Sequence, residues 1–390
     1  MSGFSNNASS TSENLVSIAV NFPHIEKTNL LGLNRHDMAL FVLELGEKPF
    51  RVSQLTKWIH QLNVSDFDQM TNISKALRAK LKERACIKPL SVIEDQLSKD
   101  GTRKWVMGLD DGNRVEAVFI PEDDRGTLCI SSQVGCALDC SFCSTARQGF
   151  SRNLTVAEIL SQIWLATRLL NEENKIERKI TNIVLMGMGE PLLNFDNVMK
   201  TIDVMLDDFA YGLSKRRVTV STAGVVPAID KLSERHDVQL AISLHATRDT
   251  LRNDLVPINK KYNLETLLAA CHRFIQQRSA RSRITIEYVM LSGVNDAKKD
   301  AEDLIQLLDG LPVLINLIPF NPFMGSGYKT SSNNAVHRFQ DVLMKAGIIT
   351  VIRKTRGEDI DAACGQLVGK VADKSRRENK FKTPRIGMNT

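Results

Sequence analysis

Seven cysteines occur in the 390-residue chain, and four of them fall within the fifteen positions from Cys129 to Cys143. Cys136, Cys140 and Cys143 form a C-x3-C-x2-C pattern, and Cys129 lies seven residues upstream. Thiolates this close together repel one another unless a metal ion or a cluster compensates their charge. Such short spacings are typical of iron–sulfur ligation. Because a closed zinc or cluster site normally has four protein ligands, three cysteines predict a four-iron cluster with one iron open to chemistry.

The same three cysteines have an alternative interpretation, a structural zinc knuckle completed by a distant fourth ligand. Cys86 and Cys271 lie apart in helical patterns, and we expect both to be structural. An odd, clustered set of cysteines fits a reducing compartment rather than a disulfide framework. The sequence has no apolar run long enough for a membrane span and no signal-peptide pattern at its Ser- and Asn-rich start. We therefore expect a cytoplasmic protein without a membrane segment.

Basic residues outnumber acidic ones, 51 against 45, and the excess is unevenly distributed. The tail from residue 370 to 390 holds seven Lys and Arg residues against two acids. Further basic clusters occur at residues 215–217, 260–261 and 353–356. Clusters of this kind permit binding to RNA phosphates, and an ordinary solvated surface is the simpler explanation for them.

Composition and residue patterning divide the chain into five segments. The first is polar, of low complexity and expected to be disordered. The second has helical spacing, with Asn34 as an N-cap, Gly46 as a stop and a third helix that reaches Ala85. The third is rich in strand-forming residues, and the turn Asp110–Asn113 predicts antiparallel pairing. The predicted boundaries are 1–22 for the disordered start, 23–90 for a helical accessory domain, 91–125 for a β extension, 126–350 for an α/β domain and 351–390 for a C-terminal segment with a basic tail.

From Leu128 onward, short apolar strands alternate with amphipathic helices. Strands that are apolar throughout are expected to be buried on both faces of a parallel sheet. Six such units predict an α/β fold, a parallel and partly closed (β/α)6 barrel; a full eight-unit barrel is the alternative, but it needs more chain than remains. Chemistry in such barrels occurs at the C-terminal ends of the strands. The predicted strands are Leu128–Ser131, Ile183–Met186, Val218–Ser221, Leu240–Ser243, Ile284–Leu291 and Leu314–Ile318.

Polar and glycine-rich motifs follow several of these strands. Gly187, Gly189 and Glu190 follow the second strand, where glycines let a ligand approach the backbone and a carboxylate can accept hydrogen bonds from an ammonium group. Hydroxyl, imidazole and amide groups after the later strands suit a ribose or a carboxylate. Simpler alternatives are an ordinary turn, a structural histidine, or a turn asparagine before Pro322. The later residues are Ser221, Ser243, Leu244, His245 and Asn321.

Two further residues stand outside these motifs. Cys364 is followed by Gly365, so a flexible loop can present its thiol, although the usual fate of a free cysteine is burial as an inert side chain. Glu116 lies in a predicted strand between Val115 and Ala117, and period-2 alternation predicts that its side chain faces outward.

The C-x3-C-x2-C pattern with Phe142 before its last cysteine resembles the signature of the radical S-adenosylmethionine (SAM) superfamily. The longer strings Cys129–Cys136 and Cys140–Ala146 closely resemble those of the RlmN/Cfr family of radical SAM RNA methyltransferases. The resemblance extends over about residues 29 to 371 and includes the Gly-Glu motif and the Cys364 segment.

This resemblance implies one four-iron, four-sulfur (4Fe–4S) cluster, and two SAM molecules per turnover. The implied cluster ligands are Cys136, Cys140 and Cys143. Glu190, next to Gly189, would hold the SAM amino group. The other implied SAM contacts are Ser221, the segment Ser243–Leu244–His245, and Asn321. The helical accessory domain, of helix-hairpin-helix type, would contact RNA; the alternative is a packing module without substrate contact.

By the same resemblance, Cys364 is the methyl-accepting cysteine and Cys129 is the thiol that forms a disulfide with it to release the product. Glu116 is implied as a proton acceptor. The implied substrates are adenosine 2503 of 23S rRNA and adenosine 37 of some tRNAs, methylated at C2. A low-potential electron donor such as flavodoxin and a monomeric state are also implied.

Two alternative functions stay open. Cfr-type methylation at C8 of the same rRNA adenosine uses the same motifs, and the strings Asp208–Arg217 and Asn259–Asn263 favour C2. A non-catalytic iron–sulfur RNA-binding protein belongs to a different class. The intact Gly-Glu motif and Cys364 argue against it.

Overall fold

The computed structural model describes residues 27–173, 180–323, 325–363 and 365–367. The predictions for the disordered start 1–22, for Cys364 and for the basic tail 370–390 lie outside these residues. Within them, one ten-stranded sheet is accompanied by two small two-stranded sheets. None of the described helices is long and apolar enough to cross a membrane.

The described residues form fourteen strands and eleven α-helices. The strands are β1 (Thr28–Asn29), β2 (Ala85–Cys86), β3 (Ser91–Leu97), β4 (Arg103–Gly108), β5 (Arg114–Glu122), β6 (Arg125–Cys129), β7 (Gln133–Gly135), β8 (Phe150–Asn153), β9 (Asn182–Leu185), β10 (Val218–Thr222), β11 (Gln239–Ser243), β12 (Ile284–Met290), β13 (Val313–Pro319) and β14 (Ile349–Ile352). The helices are α1 (Arg35–Glu44), α2 (Arg51–Thr56), α3 (Lys75–Arg84), α4 (Ser144–Arg147), α5 (Val156–Glu173), α6 (Phe195–Leu206), α7 (Val226–Arg235), α8 (Asp249–Leu255), α9 (Leu264–Gln276), α10 (Lys298–Leu307) and α11 (Asn333–Lys345).

Seven neighbouring strands of the large sheet run parallel, in the order β6, β9, β10, β11, β12, β13 and β14. Strands β5, β4 and β3 extend the sheet antiparallel from β6. The predicted partial barrel is confirmed, and the linear strand order of the described residues differs from a closed eight-unit barrel. Strand β14 is absent from the prediction. It is a short edge strand whose Ile349 and Val351 are about half exposed, unlike the residues of the central strands.

The central strands are apolar and buried on both faces, as their sequences predict. Two of the flanking helices, α9 and α11, begin at side-chain caps: Asn263 accepts a bond from the backbone N–H of Thr266, and Ser332 does so for Ala335. Because these strands run parallel, their C-terminal ends and the polar residues that follow them lie at one edge of the sheet. Fully buried aliphatic residues of these strands are Ile183, Val220, Ile242, Ile286 and Ile315.

The N-terminal helices α1–α3 pack against α5 and α6. Asn34 caps α1, as predicted, and its side-chain amide donates to Asp203 at 2.9 Å. The buried Trp164 of α5 donates its indole N–H to the carbonyl of Ile59 at 2.8 Å. The prediction that the third helix includes Ala85, and that Cys86 lies in a helical pattern, is wrong. Ala85–Cys86 form β2, a parallel partner of β1 that joins the start of this module to its end.

Candidate active site

The three clustered cysteines lie on a loop between β7 and α4. Gly135, with a φ of 75°, turns the chain out of β7, and the backbone N–H of Cys136 then donates to Gly149 O at 2.8 Å. The N–H of Cys143 donates to Cys140 O at 3.1 Å, which closes the turn between the second and third cysteines. The loop presents all three cysteines on the wall of a single cavity.

The three thiols are close enough to influence one another. The pKa of the Cys140 thiol lies well above its ordinary value, first because the thiol is withdrawn from water and then because Cys136 and Cys143 lie nearby. The backbone N–H of Leu138 donates to the Sγ of Cys136 at 3.4 Å. Positively charged iron beside three such thiols would favour their ionised form, so this donor set fits an iron–sulfur cluster.

A cluster and a single metal ion require different arrangements of ligands. In the described part of the chain, no group of three or more Cys, His, Asp or Glu side chains could hold one metal ion. A four-iron cluster gives each thiolate its own iron, so its ligands surround a larger group and need not converge on one point. The observation that supports a cluster is therefore that all three cysteines lie on the wall of one cavity.

The turn Gly187–Glu190 follows β9 and packs against the strand that leads to the cysteines. A Cβ on Gly189 would come within 2.5 Å of Gln133 Cβ, and one on Gly187 would come within 2.7 Å of Ile130 O. Gly189 also has a φ of 100°, which side chains other than glycine rarely tolerate. Glycine is therefore required at both positions by packing, whatever ligand the turn binds.

Glu190 is only 4% exposed, and its carboxylate accepts backbone N–H bonds from Leu192 at 3.1 Å and from Ala223 at 2.8 Å. Burial raises the pKa of Glu190 to about 7. The two bonds fix the carboxylate in the cavity wall. A ligand ammonium group beside it would favour the ionised form.

The next strand ends supply hydroxyl and imidazole groups to the same cavity. Ser221 and Ser243 line it from β10 and β11. His245 follows with a φ of 62°, and its Nδ1 accepts the backbone N–H of Val289 at 3.1 Å. Burial lowers the pKa of His245 to about 3, so the ring is neutral. Because Nδ1 is the acceptor, Nε2 is assigned as the ring's N–H donor.

Leu244 differs from its neighbours because its side chain is fully buried in the core. Its N–H donates to Glu287 O at 3.0 Å, and its carbonyl accepts from Arg252 Nε at 3.0 Å. The leucine therefore supports the segment between Ser243 and His245, and its side chain is not part of the cavity lining.

Arg252 is a residue of this site that the sequence analysis missed. It is fully buried and donates to the carbonyls of Ala223 at 2.8 Å and Ser243 at 3.1 Å, in addition to that of Leu244. Its Nη1 donates to Asn259 Oδ1 at 2.7 Å. Burial lowers its pKa to about 10, which is still far above neutrality. The charged guanidinium joins the ends of β10 and β11. Asn259, the first residue of the string Asn259–Asn263, accepts one of its bonds.

Asn295 and Glu287 were also missed. Asn295 is buried and donates to His245 O at 2.8 Å, which holds the strained turn.

Glu287 lines the cavity, accepts a bond from Asn316 at 2.9 Å and lies 3.8 Å from the guanidinium of Arg353. Burial raises the pKa of Glu287. An acidic residue within an otherwise apolar predicted strand was the signal that could have identified it.

The main cavity encloses about 970 Å³ of space, part of which is open to solvent. Asn321, which follows β13, lines both this cavity and a smaller one beside it. The structure thus brings together most of the residues predicted for the cluster and for SAM. Those lining the main cavity are Cys136, Cys140, Cys143, Gly189, Glu190, Ser221, Ser243, His245 and Asn321.

The residue after Cys364 lines this cavity and the two residues before it line the smaller one, while Cys364 itself lies outside the described residues. Gly365 lines the cavity, and its carbonyl accepts the backbone N–H of Ser144 at 2.8 Å. Thr145 Oγ1 donates to Leu367 O at 2.8 Å. The residues after Cys364 are therefore fixed to α4, the helix that begins immediately after the cysteine loop.

Glu116 and Cys129 share a face of the sheet beside this segment. The register pairs Val118 of β5 with Cys129 of β6, and Glu116 lies two residues from Val118. Glu116 is only 3% exposed, so the predicted outward orientation is wrong. The physical reason is that the C-terminal segment covers this face: the carbonyl of Asp361 accepts a bond from Lys104, on the neighbouring strand β4, at 3.4 Å.

Two family models match the chain. Residues 28–87 match the N-terminal domain of ribosomal RNA large subunit methyltransferases, and residues 130–308 match the radical SAM superfamily. The first match covers the helical module and the second covers most of the parallel strands.

Two relatives cover nearly the whole chain. One is described as the dual-specificity RNA methyltransferase RlmN of Marinobacter nauticus and is 57% identical over 356 residues, which are 91% of this chain and 96% of the relative. The other is a radical SAM methyltransferase from Sphaerobacter thermophilus of known crystal structure. It superposes with a TM-score of 0.82 and 40% identity, covering 87% of this chain and 99% of that one. This chain belongs to the RlmN family of radical SAM methyltransferases.

Proposed function

We propose that this enzyme methylates C2 of adenosine 2503 in 23S rRNA and C2 of adenosine 37 in a subset of tRNAs. The observation that carries the proposal is the single cavity that holds three cysteines, the Gly189–Glu190 turn and the residue after Cys364. The Marinobacter relative, described as a dual-specificity RNA methyltransferase, supports RNA as the substrate class. The family implies a 4Fe–4S cluster and SAM as the cofactors of the chemistry.

In this proposal Cys136, Cys140 and Cys143 would hold the 4Fe–4S cluster, and an iron without a protein ligand would be open to SAM. Glu190 accepts the SAM ammonium group, since its fixed carboxylate faces the same cavity. The remaining polar groups suit the ribose and the methionine carboxylate: Ser221, Ser243, His245 and Asn321. When bound, the cluster supplies the electron that cleaves SAM to methionine and a 5′-deoxyadenosyl radical.

The chemistry of the target carbon explains why the methyl group is carried on a cysteine and is not transferred directly from SAM. C2 of adenine bears an aromatic C–H bond that is neither acidic nor nucleophilic, so polar methyl transfer to it does not work. Cys364 first accepts a methyl group from one SAM by displacement. The second SAM provides the radical that removes a hydrogen atom from this methyl group. The carbon radical on Cys364 then adds to C2 and joins RNA and protein covalently.

Three side chains complete the reaction in the proposal. After the adduct loses one electron, which would return to the cluster that gave one up for SAM cleavage, Glu116 accepts the C2 proton. The Cys129 thiolate then attacks the sulfur of Cys364, so that a disulfide forms and the carbon–sulfur bond to the base breaks. The released carbon keeps the electron pair of that bond and takes up a proton to become the methyl group. The shared face of Glu116 and Cys129, next to the covering C-terminal segment, supports these roles.

RNA reaches such a cavity only if the target adenine is unpaired or flipped out of its helix. Arg353, Lys354 and Arg356 line the smaller cavity beside Asn321, and their charges suit RNA phosphates near the entrance. We further propose that the N-terminal helical module contacts RNA. A low-potential electron donor such as flavodoxin, a monomeric state and a cytoplasmic location belong to the same proposal.

A mass-spectrometric analysis of modified nucleosides tests this function. The enzyme is reconstituted anaerobically with iron and sulfide, then supplied with SAM, dithionite and a 23S rRNA fragment that contains the target adenosine. We expect 5′-deoxyadenosine and 2-methyladenosine. 8-Methyladenosine would instead establish the Cfr-type reaction, and absence of 5′-deoxyadenosine would favour the non-catalytic RNA-binding alternative. Adenosine 37 is tested in the same way with tRNA.

A further inference from the structure

Lys104 is a buried lysine that none of the steps above uses. Its side chain on β4 is 8% exposed, although lysine is almost never buried unless it is paired. Its Nζ lies 3.9 Å from the carboxylate of Glu116 and 3.4 Å from the carbonyl oxygen of Asp361. One ammonium group therefore contacts both the sheet and the C-terminal segment.

Strand register places this lysine among the residues proposed for catalysis. Lys104 pairs with Val118, and Val118 pairs with Cys129 on the other side. Glu116 lies two residues from Val118, so its side chain is on the same face. Diagonal neighbours on antiparallel strands are within reach of long side chains such as lysine. Lys104, Glu116 and Cys129 consequently form one polar group on a face that the C-terminal segment covers.

The contact with Asp361 occurs three residues before Cys364 in the chain. Further attachments of the same segment lie on the turn that precedes β4: Asp359 accepts a bond from Ser98 Oγ at 2.5 Å, and the N–H of Gly357 donates to Asp100 at 3.1 Å. These two bonds hold the start of the segment. Lys104 extends the attachment toward Cys364 and at the same time contacts the carboxylate of Glu116.

We propose that Lys104 is a positioning residue, which fixes the carboxylate of Glu116 relative to the Cys364 loop. In this position the carboxylate can accept the C2 proton of the adduct on Cys364. The proposal rests on the proposed roles of Cys364 and Glu116. Charged groups this deeply buried interact strongly, so removing one of them alters the position and the surroundings of the other. Without the lysine side chain, the Glu116 carboxylate loses one of the contacts that position it.

The test compares Lys104→Met, Lys104→Arg and wild type in the anaerobic assay with SAM, dithionite and the rRNA fragment. Methionine keeps much of the length of lysine without its charge, and arginine restores the charge. Lys88→Met is the matched control, because Lys88 forms an exposed ion pair with Asp110, which lies in the turn between β4 and β5. Iron content, 5′-deoxyadenosine, methylated Cys364 and methylated adenosine are measured in every variant.

For Lys104→Met we expect normal iron content, methyl loading and SAM cleavage. The yield of methylated adenosine per 5′-deoxyadenosine should fall roughly tenfold to 100-fold, as expected for a displaced catalytic group. The covalent RNA–protein conjugate should accumulate, since proton removal is the step that uses Glu116. Lys104→Arg should recover part of the yield, and Lys88→Met should behave as wild type.

Three results would overturn the inference. A wild-type yield from Lys104→Met would show that the lysine is dispensable. Loss of iron and SAM cleavage together with product would indicate a purely structural role. Equal yields from the Arg and Met variants would show that the charge does not matter. Failure of the proposed function is recognised separately, because wild type itself would then produce no methylated adenosine.

Discussion

The two sides of the cavity are held together in different ways. On the parallel side, buried side chains join neighbouring strand ends: Arg252 ties β10 to β11, and Asn295 ties the loop after β12 to the turn at His245. On the antiparallel side, the C-terminal segment is held by contacts between residues far apart in the chain. Ser98 and Asp359 are separated by 261 positions.

This difference indicates which step each side controls. On the parallel side, Glu190, His245 and Arg252 already have protein partners, so their geometry is established before a ligand binds. On the antiparallel side, the C-terminal segment completes the burial of the face that holds Glu116. Substitutions that disrupt the parallel side should abolish SAM cleavage. Substitutions that disrupt the antiparallel side should leave SAM cleavage intact but reduce RNA methylation.

The largest expected effect is on the cysteine loop. Replacing any one of Cys136, Cys140 or Cys143 by Ala should remove the brown chromophore and all SAM cleavage, because a cluster that leaves one iron open has no spare ligand. Absorption spectra and 5′-deoxyadenosine assays after anaerobic reconstitution check this. An intact four-iron absorption band in the triple Ala variant would contradict the ligand assignment.

The second prediction concerns the two cysteines outside the cluster. Cys364→Ala should lose all methylated product but keep SAM cleavage, because this thiol carries the methyl group. Cys129→Ala should still attach to RNA and accumulate as a conjugate that ribonuclease shortens on a denaturing gel, because only product release uses its thiol. Free turnover by Cys129→Ala, or a conjugate formed by Cys364→Ala, would contradict this division of roles.

The third prediction is a partial loss on the parallel side. Gly189→Ala adds a Cβ 2.5 Å from that of Gln133 at a residue with a φ of 100°, so we expect a destabilisation of about 1–3 kcal/mol and a higher KM for SAM. Gly310→Ala is the control, since Gly310 also has a positive φ but nothing within 4 Å. It should cost about 1 kcal/mol and leave KM unchanged. Thermal unfolding and SAM-cleavage kinetics distinguish the two, and equal KM values would argue against a ligand-binding turn.

The smallest expected effect is at the edge of the antiparallel side. Asp359→Asn weakens the bond from Ser98, which lies at a partly exposed site, so its contribution is small. Methylated product per 5′-deoxyadenosine should therefore fall by about fivefold at most, with SAM cleavage unchanged. Asp230→Asn, which breaks an exposed pair with Arg273 on the outer helices, is the control. A loss of SAM cleavage in Asp359→Asn would mean that the two sides are not separable.

Local patterns in the sequence predicted the parts of the site that depend on residues close together in the chain. The cysteine spacing, the glycines beside Glu190 and the N-cap at Asn34 are of this kind, because a turn or a helix start is specified by a few neighbouring residues. The alternation of apolar strands and amphipathic helices likewise determined the partial barrel, since each strand carries its own burial pattern.

Only the tertiary structure decided how side chains distant in sequence are covered and paired. Alternation predicted an exposed Glu116, and the C-terminal segment buries it; helical spacing included Ala85, and pairing with Thr28 makes it a strand. Arg252 gave no local signal, because its partners are carbonyl groups on two different strands. Burial of a polar group is favourable only when such partners meet it, and which partners meet is a property of the folded chain rather than of any short stretch of sequence.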